Sequence, residues 1–219
     1  MKLKAVIFDM DGLLVDTETY WQKAEIAAFS EEGVSLTVED CKRAMGLRCD
    51  EAVALFLERY DLSLDVSRMV SSIESKVIAM AEREPKILPG VLEAIELFRG
   101  LGLQLAVCSS SSRGVIHGVL KAAGLLDTFG NLVSAEHESY GKPHPAVYIN
   151  TLKTLKVSHF EALVFEDSIF GIVAAKAAKI PVVAVPNILP RSDPRFGIAD
   201  TVIDSMSEVT ESWLVDFLK

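Results

Sequence analysis

Short, unbroken apolar runs alternate with stretches of helical periodicity along this chain, and few folds accommodate that rhythm. Lys4–Phe8, Leu103–Cys108, Asn131–Ser134, Leu163–Phe165 and Pro181–Val185 read as strands, with Asp200–Ile203 as a further edge strand. Runs this continuous suit strands covered on both faces, as in a parallel sheet. Between them, Val91–Arg99 sets Val91, Ala94, Ile95 and Phe98 on one helical face. Val115–Ala123, Pro145–Leu155 and Ile169–Ala178 follow the same spacing, and Glu208–Leu218 closes the chain. Gly102 and Gly124 stand where helix C-termini belong. The alternation predicts an α/β fold: a doubly wound, Rossmann-like parallel sheet.

One stretch breaks the rhythm. From about residue 16 to 87 only helical patterns occur, clearest over Thr17–Ser30, Cys49–Arg59 and Val66–Glu84. A chain of 219 residues can hold a sheet core and a smaller insertion. The expected organisation is therefore a core of residues 1–15 and 88–219 with an all-helical second domain at 16–87. Its two connections fall near Val15–Asp16 and at Leu88-Pro89-Gly90, where Pro-Gly is a turn signal.

Charge and cysteine usage narrow the partners. With 22 Lys+Arg against 31 Asp+Glu the formal net charge is −9, and no basic run tracks a phosphate backbone, so nucleic acid is not expected. Apolar stretches such as Ile169–Ala175 and Ile180–Val185 fall far short of the ~20 residues a bilayer requires, so no membrane span is expected. The apolar run after Met1-Lys2-Leu3-Lys4 stops at Asp9, too early for a secretory leader. Cys41, Cys49 and Cys108 are odd in number and lack paired spacing, which points to a reduced, cytoplasmic setting. No long apolar stripe calls for a second subunit, so a monomer acting on a small molecule is the expectation.

Acidic residues recur at strand ends, the edge where open α/β sheets bind ligands. Asp9 and Asp11 follow the first strand in Phe8-Asp9-Met10-Asp11-Gly12, and Glu166-Asp167-Ser168 follows Leu163-Val164-Phe165. A solvated turn accounts for the first pair taken alone, and helix capping for Asp167 or Ser168. Four carboxylates converging on one sheet edge describe a hard-cation site, and Mg²⁺ suits such oxygen ligands while keeping coordination free for a phosphate oxygen. The second strand ends in Cys108-Ser109-Ser110-Ser111-Ser112, whose hydroxyls and amides precede a helix and can cradle an anion. Lys142, between turn residues in Gly141-Lys142-Pro143, can balance a carboxylate and a transferring phosphoryl group. His117, His137, His144 and His159 show no metal-ligand spacing.

In their order these motifs resemble the haloacid dehalogenase superfamily over the whole chain: the Asp9/Asp11 pair, then Ser109, Lys142 and Glu166-Asp167. The stretch FDMDGLLVDTE resembles members with a small helical cap after the first motif, which include sugar phosphatases and β-phosphoglucomutase. The resemblance implies that Asp9 takes up the phosphoryl group and that Asp11 is the general acid/base. It implies that Ser109 and Ser110 bind phosphoryl oxygens and that Lys142 balances charge. Mg²⁺ would be held by Asp9, the Asp11 carbonyl, Asp167 and, through water, Glu166. Met45-Gly46-Leu47-Arg48 resembles a cap segment facing the core, so Gly46 and Arg48 become candidate substrate contacts. Thr17 and Trp21 can line the closing face, and Trp21 can equally be buried in the cap.

Asp11 itself speaks against dehalogenation, because the dehalogenase branch lacks the second Asp. The implied activity is a Mg²⁺-dependent phosphatase acting on small phosphorylated metabolites, sugar phosphates of the hexose or 2-deoxyhexose 6-phosphate type, through an aspartyl-phosphate intermediate. A phosphosugar mutase shares every core residue, but Trp21 stands where β-phosphoglucomutase carries a histidine. A non-enzymatic phospho-accepting receiver domain combines similar groups on a shorter chain without a helical insertion.

Overall fold

The computed structural model describes residues 2–219. After β1 (Ala5–Phe8) come four helices in succession: α1 (Glu18–Glu31), α2 (Val38–Ala44), α3 (Cys49–Arg59) and α4 (Val66–Arg83). The remainder alternates: α5 (Val91–Gly100), β2 (Gln104–Ser109), α6 (Arg113–Ala122), β3 (Asn131–Ser134), α7 (Ala146–Leu155), β4 (Ala162–Glu166), α8 (Ile169–Ala177), β5 (Val182–Ala184), β6 (Thr201–Val202) and α9 (Glu211–Phe217). The strands form one parallel sheet in the order β3-β2-β1-β4-β5-β6. Direction of winding reverses between β1 and β4, so their carboxyl ends flank the crevice where such sheets bind ligands.

Both sheet faces are buried, which is why the strands read as continuous apolar runs. Along β1, Val6 and Phe8 enter one core cluster while Ala5 and Ile7 enter the other. Phe8 stacks on Phe165 with ring centroids 5.7 Å apart, and Phe98 and Trp213 extend the aromatic group beneath the strand ends. Each such side chain contributes roughly 1.5–3 kcal/mol on burial, so the platform carrying the acidic residues is rigid.

The last helix begins at Glu211 rather than Glu208. Thr210 caps it by accepting a hydrogen bond from the Trp213 N–H at 3.2 Å, and Met206–Glu208 forms a separate 3₁₀ turn. Within the inserted stretch, α2 is a short helix set by a reciprocal capping box between Thr37 and Asp40.

The helical insertion leaves the sheet at Val15 and returns at Ile87, and these two residues pair in an antiparallel bridge. The Asp16 N–H donates to the Lys86 carbonyl at 2.8 Å and the Leu88 N–H to the Leu14 carbonyl at 3.1 Å. Among these helices Phe29 meets Phe56 edge-on at 5.5 Å, and both belong, with buried Ile73 and Val77, to the same apolar cluster as Val6 and Phe8 of β1. No helix among the described residues is long and apolar enough to cross a membrane.

Candidate active site

A cavity between the strand ends and the inserted helices is lined by Asp9, Asp11, Ser109, Ser110, Ser111, Lys142, Asp167 and Ser168 below. Its upper wall is made by Glu18, Trp21, Gln22 and Glu25 of α1 with Met45, Gly46 and Leu47. Chain positions more than 150 residues apart therefore meet, because β1 and β4 are neighbours in the sheet.

Lys142 is the electrostatic centre. It is 2 % exposed, and its ammonium donates to Asp9 Oδ1 at 2.7 Å, Glu166 Oε1 at 2.6 Å and the Cys108 carbonyl at 3.1 Å. All three N–H donors are thus used. Burial works against its charge, but Asp9 and Glu166 outweigh that and hold its pKa above the ordinary lysine value. Glu166 is fully engaged: Oε1 also accepts from the Tyr148 hydroxyl at 2.6 Å, and Oε2 accepts from the Ser168 N–H at 3.3 Å and hydroxyl at 3.1 Å.

Asp9 and Asp167 are not so well satisfied. Burial, above all, pushes both carboxyls well above the ordinary aspartate value; Lys142 opposes this for both, and neighbouring carboxylates add to it. Buried Asp167 Oδ2 has no hydrogen-bond partner. Asp9, Glu166 and Asp167 can each bring a carboxylate oxygen within 4.8 Å of the others. Several buried carboxylates around one ammonium, with one oxygen orphaned, fit a bound divalent cation. Gly12 makes the approach possible: its φ is +74°, and a Cβ there would lie 2.2 Å from Asp167 Oδ2.

Asp11 stands apart from that cluster. Its Oδ1 accepts from the Thr17 hydroxyl at 2.6 Å and the Trp21 indole N–H at 2.9 Å. Its Oδ2 accepts from Ser111 at 2.7 Å and Ser109 at 3.2 Å. The side chain of Asp11 thus faces the cavity between serines of the sheet edge and two residues of the insertion. Ser110 donates to the Gly46 carbonyl at 2.9 Å, tying the sheet edge to the inserted segment.

Arg48 is not brought to the cavity. Its guanidinium grips Asp50 at 2.6 and 2.9 Å and donates to the carbonyls of Glu138 at 2.7 Å and Ala135 at 3.2 Å. Beside it, the Gly141 N–H donates to Glu51 at 2.9 Å. Arg48 thereby pins the insertion to the loop that carries Lys142 instead of facing a ligand. Cys108 is fully buried and its thiol is pushed up to about 12 by that burial, an inert group.

Sequence reasoning misses Glu18, Gln22 and Glu25 on the upper wall and Tyr148 behind Glu166, and it reads Ser111 as part of an anion cradle without foreseeing its bond to Asp11. The signal for the first three is the spacing of residues 18, 21, 22 and 25, one face of a helix. Polar residues on such a stripe read as solvated, yet here the stripe faces an enclosed space.

Glu25 is 7 % exposed, and burial raises its pKa from 4.5 to about 7, opposed only by the Cys41 thiol. Between those two pH values the folded state keeps a proton that the unfolded state has released, so stability falls as pH rises through this window. Glu25→Gln removes that loss. Urea unfolding should find the variant more stable than the parent at pH 8, by on the order of 3 kcal/mol. The gap should close towards pH 4.5. Equal stability at pH 8 would mean that the carboxyl is not desolvated.

Comparison with known proteins agrees with this architecture. The family described as haloacid dehalogenase-like hydrolase matches residues 6–185. Hexitol phosphatase B of Escherichia coli is 35% identical over 211 residues, covering 95% of each chain. A phosphorylated carbohydrates phosphatase of Thermotoga maritima is 30% identical over 178 residues, covering 81% of this chain and 82% of that one. Among solved structures, β-phosphoglucomutase from Clostridium difficile superimposes with a TM-score of 0.88 at 23% identity, over 99% of this chain and 97% of the other, a likeness of fold.

Proposed function

Since the chain belongs to the haloacid dehalogenase-like hydrolases, we propose that it is a Mg²⁺-dependent phosphatase of small phosphorylated carbohydrates, with Asp9 as the nucleophile. The observation that carries this reading is the pairing of Asp9 Oδ1 with the Lys142 ammonium at 2.7 Å beside the unpartnered Asp167 Oδ2. The similarity to a hexitol phosphatase and to a phosphorylated carbohydrates phosphatase supports the substrate class. Helices α1–α4 act as a cap that closes over the strand ends, hinged where Val15 and Ile87 run side by side.

Asp9, Asp167, the Asp11 backbone carbonyl and, through water, Glu166 would hold the ion. When bound, Mg²⁺ offsets the negative charge that otherwise keeps a phosphate dianion away from a carboxylate nucleophile. Lys142 fixes Asp9 Oδ1, and Asp9 lines the cavity with its second carboxylate oxygen left for the substrate. That oxygen bonds to phosphorus while the ester P–O bond breaks, and Asp11 gives its proton to the departing alkoxide. In the second half Asp11 takes a proton from water, the water oxygen bonds to phosphorus, and the P–O bond to Asp9 breaks. The Ser109 hydroxyl and the Ser110 backbone N–H hydrogen-bond the phosphoryl oxygens in both steps, and Thr17 and Trp21 hold Asp11 in reach.

Phosphate release from a panel of hexose, 2-deoxyhexose and hexitol phosphates tests the reading. Turnover with Mg²⁺, its loss with a chelator and its return with added Mg²⁺ are expected. No release from any of these compounds would contradict it.

A further inference from the structure

We propose that Glu25 selects the substrate's far end: the cavity accepts a monophosphate whose remainder carries hydroxyl groups, and it rejects any second anionic group. This rests on the phosphatase reading above and deepens it.

The cavity is polarised along its length. Lys142 is the one cation among its lining residues, and it lies at the sheet edge with both charged partners already against it. A phosphate is accommodated there, among the serines. Glu18, at the start of α1, sits over Gly12 beside Asp167, whereas Gln22 and Glu25 lie one and two turns further along the helix, with Cys41, Ala44, Leu47, Cys49 and Ala52 also lining the cavity. No cation offsets the buried Glu25 carboxylate; the Cys41 thiol is the one group that favours its charged form. The other cation nearby, Arg48, is spent on Asp50 and two carbonyls of the facing loop.

A buried carboxylate whose one donor is a thiol is poorly satisfied, and a ligand that brings hydroxyl donors relieves the cost through short, charge-assisted hydrogen bonds. A second phosphate, or a carboxylate, would instead meet like charge in a poorly solvated space. The same reasoning separates this chain from a phosphosugar mutase. A bisphosphate that turns end for end needs a cationic group at each end of its site, and here only one end has one.

The test compares kcat/KM at pH 8 with Mg²⁺ for sorbitol 6-phosphate, glucose 1,6-bisphosphate and phosphoglycolate, with acetyl phosphate as a small reference compound. The parent should favour the hexitol phosphate over both compounds with an anionic tail by about 100-fold or more, and Glu25→Gln should narrow that ratio by ~10-fold, chiefly through KM. The variant's melting point at pH 8 reports folding, and a merely structural role for Glu25 would raise it while leaving the ratio in place. Comparable turnover of the bisphosphate by the parent, or a ratio untouched in Glu25→Gln, would overturn the proposal. Absence of release from every compound, acetyl phosphate included, would overturn the phosphatase reading and this inference with it.

Discussion

Asp9→Asn should abolish phosphate release from any carbohydrate phosphate, by ~10⁴-fold or more in kcat, without lowering the melting temperature. The amide has nearly the same shape but no charge to form a bond with phosphorus, so the covalent route closes and only transition-state contacts remain. Stability should hold because two effects oppose: Lys142 loses one charged partner but keeps Glu166 at 2.6 Å, and the parent carboxylate is itself poorly accommodated. Burial, only partly relieved by Lys142, keeps its pKa well above the ordinary aspartate value, and a neutral group does not carry that penalty. Steady-state assays beside thermal unfolding check both halves. An Asp9→Asn enzyme that keeps a tenth of the parent rate would remove Asp9 from the chemistry.

Lys142→Met should cost both activity and stability. The methionine fills the stem's volume but leaves Asp9 and Glu166 facing each other without the ammonium that now lies 2.7 and 2.6 Å from them. Removing one partner from a buried ion pair typically costs about 3–5 kcal/mol. Protonation of one carboxyl recovers part of that, so the loss should be largest at alkaline pH and smaller near pH 5. Turnover should fall ~10³-fold or more even at temperatures where the variant is fully folded, because the developing charge loses its nearest cation. Urea titrations at two pH values with activity at low temperature separate the two effects. A variant as stable and as active as the parent would show that the triad of Lys142, Asp9 and Glu166 has no role.

The catalytic edge is legible in the sequence because its parts are local. Asp9 and Asp11 follow a run that is buried on both faces, and Glu166-Asp167 follows another, so strand ends and acidic residues coincide without knowledge of the tertiary fold. The gap between the first and second strands likewise announces the insertion, since helical periodicity replaces alternation there. What the sequence hides depends on which surface meets which. The polar stripe of α1 has the spacing of a solvent-facing helix, and only the enclosure of the cavity turns Glu18 and Glu25 into buried groups. Arg48 has the residue type of a phosphate ligand, but Asp50 two positions on and the carbonyls of residues 135 and 138 claim its guanidinium. Trp21 fits both of its sequence-level readings in part: half-buried, it packs against the core and still donates its N–H to Asp11 at 2.9 Å.

Identification of the atom that bonds to phosphorus tests the central claim most directly. Acid-quenching the enzyme during turnover of a hexitol phosphate with Mg²⁺, reducing with borohydride and mapping the peptides by mass spectrometry reads that atom out. An acyl phosphate at the first carboxylate after Phe8 is reduced to homoserine, so homoserine at position 9 is the expected result. Turnover that leaves Asp9 unmodified, or homoserine at Asp11 or Asp167, or 2-amino-5-hydroxypentanoic acid at Glu166, would contradict the account.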